Sequence, residues 1–174
     1  MGASTRRLAL IAPPPLKPSE PGASAAGAAA VLRAAGIDAL HLDASIGWHR
    51  AMLADHPGVA EALRRRETYR DRWVYTSAVR ELERALAAAA VPYPGVRLGV
   101  GMVAWTDPPR RLESSSDLAA IASEPGPFDD YLAGPLLDDL DALDPGVAAV
   151  SLTFQQQLPA ALRLLEVLRT ARPH

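Results

Sequence analysis

The chain has 174 residues, a hydrophobic fraction of 49% and a formal net charge of −2, values that suit one domain with a sizeable core and exclude a disordered chain. The near balance of charge removes the main reason to expect a nucleic-acid partner, and the skew of basic residues, seventeen Arg against the single Lys17, is compositional. Cysteine is absent, which excludes disulfides, thiol nucleophiles, cysteine-bound zinc and cysteine-ligated iron–sulfur clusters within this chain.

The opening MGASTRRLALIAPPP sets two arginines before an apolar run. That run is only five residues long and stops at three prolines, whereas a secretory signal core needs about 7–15 residues. No apolar stretch approaches the roughly 20 residues of a membrane span, so a cytoplasmic protein with no membrane partner is expected. Residues 7–12 read as a short strand apolar on both faces, as in a parallel sheet. Five prolines then stiffen the loop over 13–21. The alanine-rich segment 23–35 reads as a helix closed by Gly36, and 37–43 as a second strand, which completes a βαβ unit.

The middle of the chain is helical in pattern and less regular. Residues 46–54 suit one helix, and 58–90 one long helix or two, so that about 46–92 forms a helical insertion. Residues 96–105 read as a strand or an extended segment. The serine run at 114–116 suits the cap of a helix over 114–123, with Asp117 in its first turn. Residues 127–143 read as an acidic amphipathic helix. After the turn Asp144–Pro145–Gly146, residues 147–154 are an apolar β-like run. Leu158, Leu162, Leu165 and Leu168 then recur at helical spacing, with Arg163, Glu166 and Arg169 expected on other faces. A parallel sheet that ends on a helix looks cut short at His174, and the chain is expected to be one domain, the N-terminal part of a larger enzyme.

Few residues carry chemistry. Pro13, Pro14, Pro15, Pro18 and Pro21 leave the first βα loop without the glycine turn and free N–H groups of a dinucleotide site. The glycines of GVRLGVGMVAW lack phosphate-loop spacing and suit close backbone packing beside a strand. His41, Asp43 and His49 form H-x-D-x5-H, but no fourth ligand stands at a recognisable spacing. They read as a hydrogen-bonded strand histidine and a polar strand end, with no metal. Asp138, Asp139, Asp141 and Asp144 are interleaved with leucines at helical spacing and read as a solvated face, lacking the glycine and terminal Glu of a calcium loop. Arg64–Arg66 likewise reads as a solvated helix surface, with a partner-binding patch as the alternative. No catalytic constellation emerges.

Two segments together resemble the N-terminal domain of cobalamin-binding-type radical-SAM proteins. The first is LALIAPPPLKPSEPGASAAGAAAVLRAAGIDALHLDASIGWH, similar to that family's first βαβ unit with its proline-rich loop and acid-ended strand. The second, SSSDLAAIASEPGPFDDYLAGPLLDDLDALDPGVAAVSLTFQQQLPAALRLLEVLRTARP, is similar to the closing part of the same domain. The resemblance implies a three-layer, Rossmann-like fold of the flavodoxin-like and cobalamin-binding-like kind, a parallel sheet flanked by helices.

It also implies an accessory role. In that family the domain precedes a barrel whose C-x-x-x-C-x-x-C motif holds the iron–sulfur cluster that cleaves S-adenosylmethionine. A cysteine-free chain is therefore not catalytic alone. It needs a radical-SAM catalytic domain in cis or in trans, which modifies a peptide or small-molecule substrate. Cobalamin is the cofactor the resemblance implies. Its binding residues would be Pro13, Asp43, Ser151, Thr153 and Gln155, gathered at the carboxyl ends of the strands, with Ser151 hydrogen-bonded to the nucleotide tail. The first loop lacks the D-x-H-x-x-G motif, so no protein imidazole would hold the cobalt, and the chain by itself is expected to hold little or no cobalamin. The alternative reading is a cofactor-free α/β interaction domain that positions a substrate or partner.

Overall fold

A computed structural model describes residues 7–18 and 22–171. The chain's first six residues, Ser19, Glu20 and Pro21, and the terminal Arg172, Pro173 and His174 lie outside them. In chain order the strands are β1 (Leu8–Ala12), β2 (Ala39–Asp43), β3 (Val96–Gly99), β4 (Met102–Thr106), β5 (Pro109–Arg110) and β6 (Val147–Val150). The α-helices are α1 (Ala23–Ala34), α2 (Ala44–Met52), α3 (Pro57–Arg64), α4 (Arg72–Ala90), α5 (Ser115–Ser123), α6 (Asp129–Ala133), α7 (Pro135–Leu143) and α8 (Leu158–Ala171).

The three apolar runs read from the sequence form one parallel sheet in the order β2-β1-β6. Strand β1 is central, in register from Leu8↔Ala39 to Ala12↔Asp43 on one side and from Leu8↔Val147 to Ile11↔Val150 on the other. Its side chains alternate between two separate cores, which is why it must be apolar throughout. Leu10 and Ala12 pack with Leu16 and with Ala25 and Ala29 of α1. Ala9 and Ile11 join the larger core of Trp48, Leu82, Leu86, Leu132, Leu136, Leu140 and Leu164 on the opposite face. The chain is thus α/β, with helices on both faces of a parallel sheet.

Local chemistry accounts for several boundaries. Gly36, at φ +82°, ends α1 in a Schellman arrangement: its N–H donates to the Arg33 carbonyl and the Ile37 N–H to the Leu32 carbonyl. Ser114 caps α5 by accepting from the Asp117 N–H at 3.2 Å. Asp43 and Asp71 do the same for α2 and α4.

Other expectations are corrected. Segment 58–90 is two helices, α3 and α4, separated by a 3₁₀ turn at Arg66–Arg70. The segment 96–105 is not one strand: Gly101, at φ +70°, turns the chain back and β3, β4 and β5 form a second, antiparallel sheet. The helix expected over 127–143 is broken at Gly134, with Pro135 opening α7, where its missing N–H costs nothing. The run 147–154 is a strand only as far as Val150. Ser151 makes the last ladder bond, its N–H to the Ile11 carbonyl at 2.8 Å, and Leu152 and Phe154 are exposed. In α8 the inward row is Ala160, Ala161 and Leu164, whereas Leu162 and Leu165 face outward. That orientation puts Ala160 and Leu164 into the larger core, and Arg163 reaches Asp129 with two hydrogen bonds (2.9 and 3.1 Å) and the Ala122 carbonyl at 3.1 Å.

Among the described residues, no helix is long and apolar enough to cross a membrane.

Candidate functional site at the carboxyl edge of the parallel sheet

In open parallel sheets, ligands are received outside the carboxyl ends of the strands, where the loops diverge. Here that edge is made by the loop after Ala12, by Asp43 and by the segment after Val150. The start of α1 stands above it.

Pro13 is fully buried, and its carbonyl accepts from the Gln157 side-chain amide at 2.6 Å. The Gln157 carbonyl oxygen in turn accepts from the N–H groups of Thr153 (2.8 Å) and Phe154 (3.0 Å). One side chain, 0% exposed, therefore joins the loops that leave β1 and β6. Above it lie three hydroxyls: Ser24 Oγ is 2.7 Å from Thr153 Oγ1 and 3.5 Å from Ser151 Oγ. Ser24 sits in the first turn of α1, which Gly22 begins without any side-chain cap. The first N–H groups of that helix, its positive dipole end, therefore lie at the same end of α1 as Ser24.

Asp43 closes the neighbouring strand beside Ala12. Its Oδ1 accepts from the Ile46 N–H at 2.9 Å, while Oδ2 is buried and without a hydrogen-bond partner. The side chain of Gln155 is exposed. The edge thus brings Pro13, Ser151 and Thr153 together, with Asp43 next to them and Gln155 turned outward. Sequence reasoning missed Ser24, Gln156 and Gln157. Gln156 carries its side-chain oxygen to the Val103 N–H at 3.2 Å, so adjacent glutamines tie both sheets to the start of α8. A run of three glutamines ahead of an amphipathic helix was the only signal.

The histidine pair behaves differently from expectation. His41 Nε2 is buried without a partner, so it is not the fully hydrogen-bonded strand histidine that the sequence suggests. His49 is buried in α2, with Nδ1 2.8 Å from the Ser45 carbonyl and Nε2 unpartnered. Burial lowers its pKa, against the opposing pull of that carbonyl and of the Asp43 carboxylate. The neutral ring therefore carries its proton on Nδ1 and a free lone pair on Nε2. Among the described residues, no three His, Asp or Glu side chains converge as a metal site. Asp138, Asp139, Asp141 and Asp144 lie on the exposed side of α7 and its end, as read from the leucine spacing.

The hydroxyls at this edge can donate and accept hydrogen bonds. No carboxylate or imidazole is hydrogen-bonded to Ser24, Ser151 or Thr153 among the described residues, so none of the three oxygens is activated as a nucleophile. Compared with known proteins, the chain matches no family model, no curated protein and no solved structure.

Proposed function

We propose that the chain is an accessory α/β domain of the cobalamin-binding-like, three-layer Rossmann-like kind, serving a cytoplasmic radical-SAM catalytic unit in cis or in trans and not catalytic alone. Three features support this reading. The order of proline loop, small-residue helix and acid-ended strand is that of the family it resembles. The parallel sheet β2-β1-β6 places the corresponding loops on one edge. The absence of cysteine leaves the cluster chemistry to another polypeptide segment.

The residues present do not fit cobalamin. The position that a nucleotide tail would enter, between the ends of β1 and β6, is filled by Gln157, whose three hydrogen bonds hold the two loops together. The serine and threonine hydroxyls are turned to Ser24. This single arrangement carries the second half of the proposal: the domain works without the cofactor and positions a peptide or small-molecule substrate. The uncapped start of α1 and the hydroxyls of Ser24, Ser151 and Thr153 are the donors such a substrate would meet.

Titration with hydroxocobalamin followed by absorbance tests the cofactor-free half. No one-to-one binding is expected, and tight stoichiometric binding with a spectral shift would overturn it. The radical-SAM half is tested by sequencing the gene's surroundings for C-x-x-x-C-x-x-C and by co-purifying that product with this chain. A gene and neighbours without the motif would sink it.

A further inference from the structure

The helical insertion presents a surface that the sheet does not need. Around its 3₁₀ turn every residue from Arg64 to Tyr75 except Thr68 is exposed. Trp73 is 82% and Tyr69 59% accessible, values far above those of a residue that only packs its own domain. The rings are held in place: the Tyr69 hydroxyl donates to the Leu63 carbonyl at 2.6 Å, and its ring lies 5.6 Å from that of Tyr75. Trp73 stands in the first turn of α4, fixed by the Asp71 cap on its own N–H and that of Val74. Beside these rings, α3 and α4 enclose a groove of about 460 Å³ lined by the apolar Pro57, Val59, Ala62, Val74 and Ala78 together with His56, Ser77 and Glu81, the last of which is paired with Arg84.

The charge along the turn beside the groove is mostly positive. Residues 64–72 hold five arginines (64, 65, 66, 70 and 72) against Glu67 and Asp71, a net charge of +3 in a chain whose total is −2. Asp71 is occupied as a helix cap, and Arg65, just past the end of α3, pairs with Glu61. Exposed Trp, Tyr and Arg around an apolar groove are the residue types that dominate protein–protein contacts.

We infer that the α3–α4 face is a docking surface for an acidic peptide segment of a partner protein, one that carries apolar side chains for the groove between its carboxylates. The inference stands whether or not the catalytic unit is a radical-SAM enzyme. Charge complementarity selects an acidic occupant, and the groove selects one with apolar side chains. A second copy of the chain meets only the first condition. Its acidic helix α7 exposes Asp138, Asp139 and Asp141 but buries Leu136 and Leu140, so it offers carboxylates without those apolar side chains for the groove. An oligonucleotide would be served by the arginines and rings but not by a groove of proline, valine and alanine carbons.

Panning a random dodecapeptide display library against the whole chain tests this. Selected peptides are expected to be rich in Asp and Glu around one or two Leu, Ile or Phe. The dye-labelled consensus peptide, followed by anisotropy, should bind at least about tenfold more weakly to Trp73→Ser, Val74→Asp and the triple variant Arg66→Glu/Arg70→Glu/Arg72→Glu, the loss typical of central contact residues. Affinity should also fall with added salt. All substituted positions are exposed, and unchanged far-ultraviolet dichroism and melting temperature show that the variants fold. Recovery of no peptides, or of peptides without acidic enrichment, overturns the inference. So does binding that the variants leave unchanged, tighter binding of oligouridylate or of phosphatidylserine vesicles than of the peptide, or a concentration-dependent dimer that Trp73→Ser abolishes.

Discussion

The side-chain amide of Gln157 donates to the carbonyl of Pro13 across 2.6 Å, joining positions 144 residues apart in the chain. The same side chain receives the N–H groups of Thr153 and Phe154, so it fastens the end of β6 to the end of β1 just where the two strands stop pairing. Gln157→Leu keeps the volume and removes all three partners. A buried carbonyl and two N–H groups are then left to solvent or to nothing, at a cost of about 2–3 kcal/mol. Urea denaturation should show the midpoint lowered with an unchanged slope. A variant as stable as the parent would mean that the bridge contributes no net stability.

Gly47 and Tyr131 touch more closely than any side chain at position 47 would allow. A Cβ built on Gly47 would stand 1.9 Å from the Tyr131 hydroxyl oxygen and 2.8 Å from the ring carbon that bears it. Burial, then the carboxylates of Asp139 and Asp43, push the Tyr131 pKa up to about 12, with Arg50 opposing, so the hydroxyl is neutral at physiological pH. Gly47→Ala should destabilise by about 1–3 kcal/mol through overpacking. Combining it with Tyr131→Phe should recover part of that loss, because the nearest atom is gone while the ring carbon remains close. Thermal melts of the two single variants and the double variant measure the coupling, and strict additivity would show that the contact is not the cause.

Arg163 binds both oxygens of Asp129 and also the Ala122 carbonyl and Glu166, so one guanidinium connects α5, α6 and α8. A lysine offers a single ammonium and cannot reproduce the two parallel bonds. Arg163→Lys should therefore lose most of what Arg163→Met loses, about 1–2 kcal/mol for a partly exposed pair that is geometrically well formed. Full stability in Arg163→Lys would mean that charge alone suffices. The loss should shrink in 1 M salt, where Coulombic attraction is screened.

His49 makes stability depend on pH. Its folded-state pKa lies below the value of about 6.5 that it has in an unfolded chain. Between those two values the unfolded chain binds the extra proton and the folded one does not. The favourable contribution is thus complete above about pH 6.5 and is lost as pH falls through the folded-state value. Melting temperatures between pH 7.5 and 5 should drop for the parent and less steeply for His49→Gln, which cannot charge. Equal slopes would place the pH dependence elsewhere.

Some of this molecule was written locally. Residues 7–12, 37–43 and 147–154 read as apolar runs with helical segments between them, the pattern of a parallel sheet covered on both faces, although the third pairs only as far as Val150. Gly36 and Ser114 end and begin helices through bonds to neighbours three to five positions away, which a reader of the sequence can foresee. The positions of Pro13, Asp43, Ser151 and Thr153 at one edge follow from the same strands, since every parallel strand ends on the same side. What tertiary structure alone decided depends on partners far along the chain. Residues 96–105 have the composition of one strand, and they divide into a hairpin at Gly101, where a Cβ would stand 2.6 Å from the distant Lys17 side chain. The leucines of α8 offer two inward rows, and packing of Ala160 and Leu164 against a core built by distant segments leaves Leu162 and Leu165 in solvent. Gln157 is one of three adjacent glutamines with identical local chemistry. Only the packing of β1 against β6 brings the Pro13 carbonyl within its reach, because a hydrogen bond spanning 144 residues leaves no periodicity, spacing or composition by which the sequence could announce it.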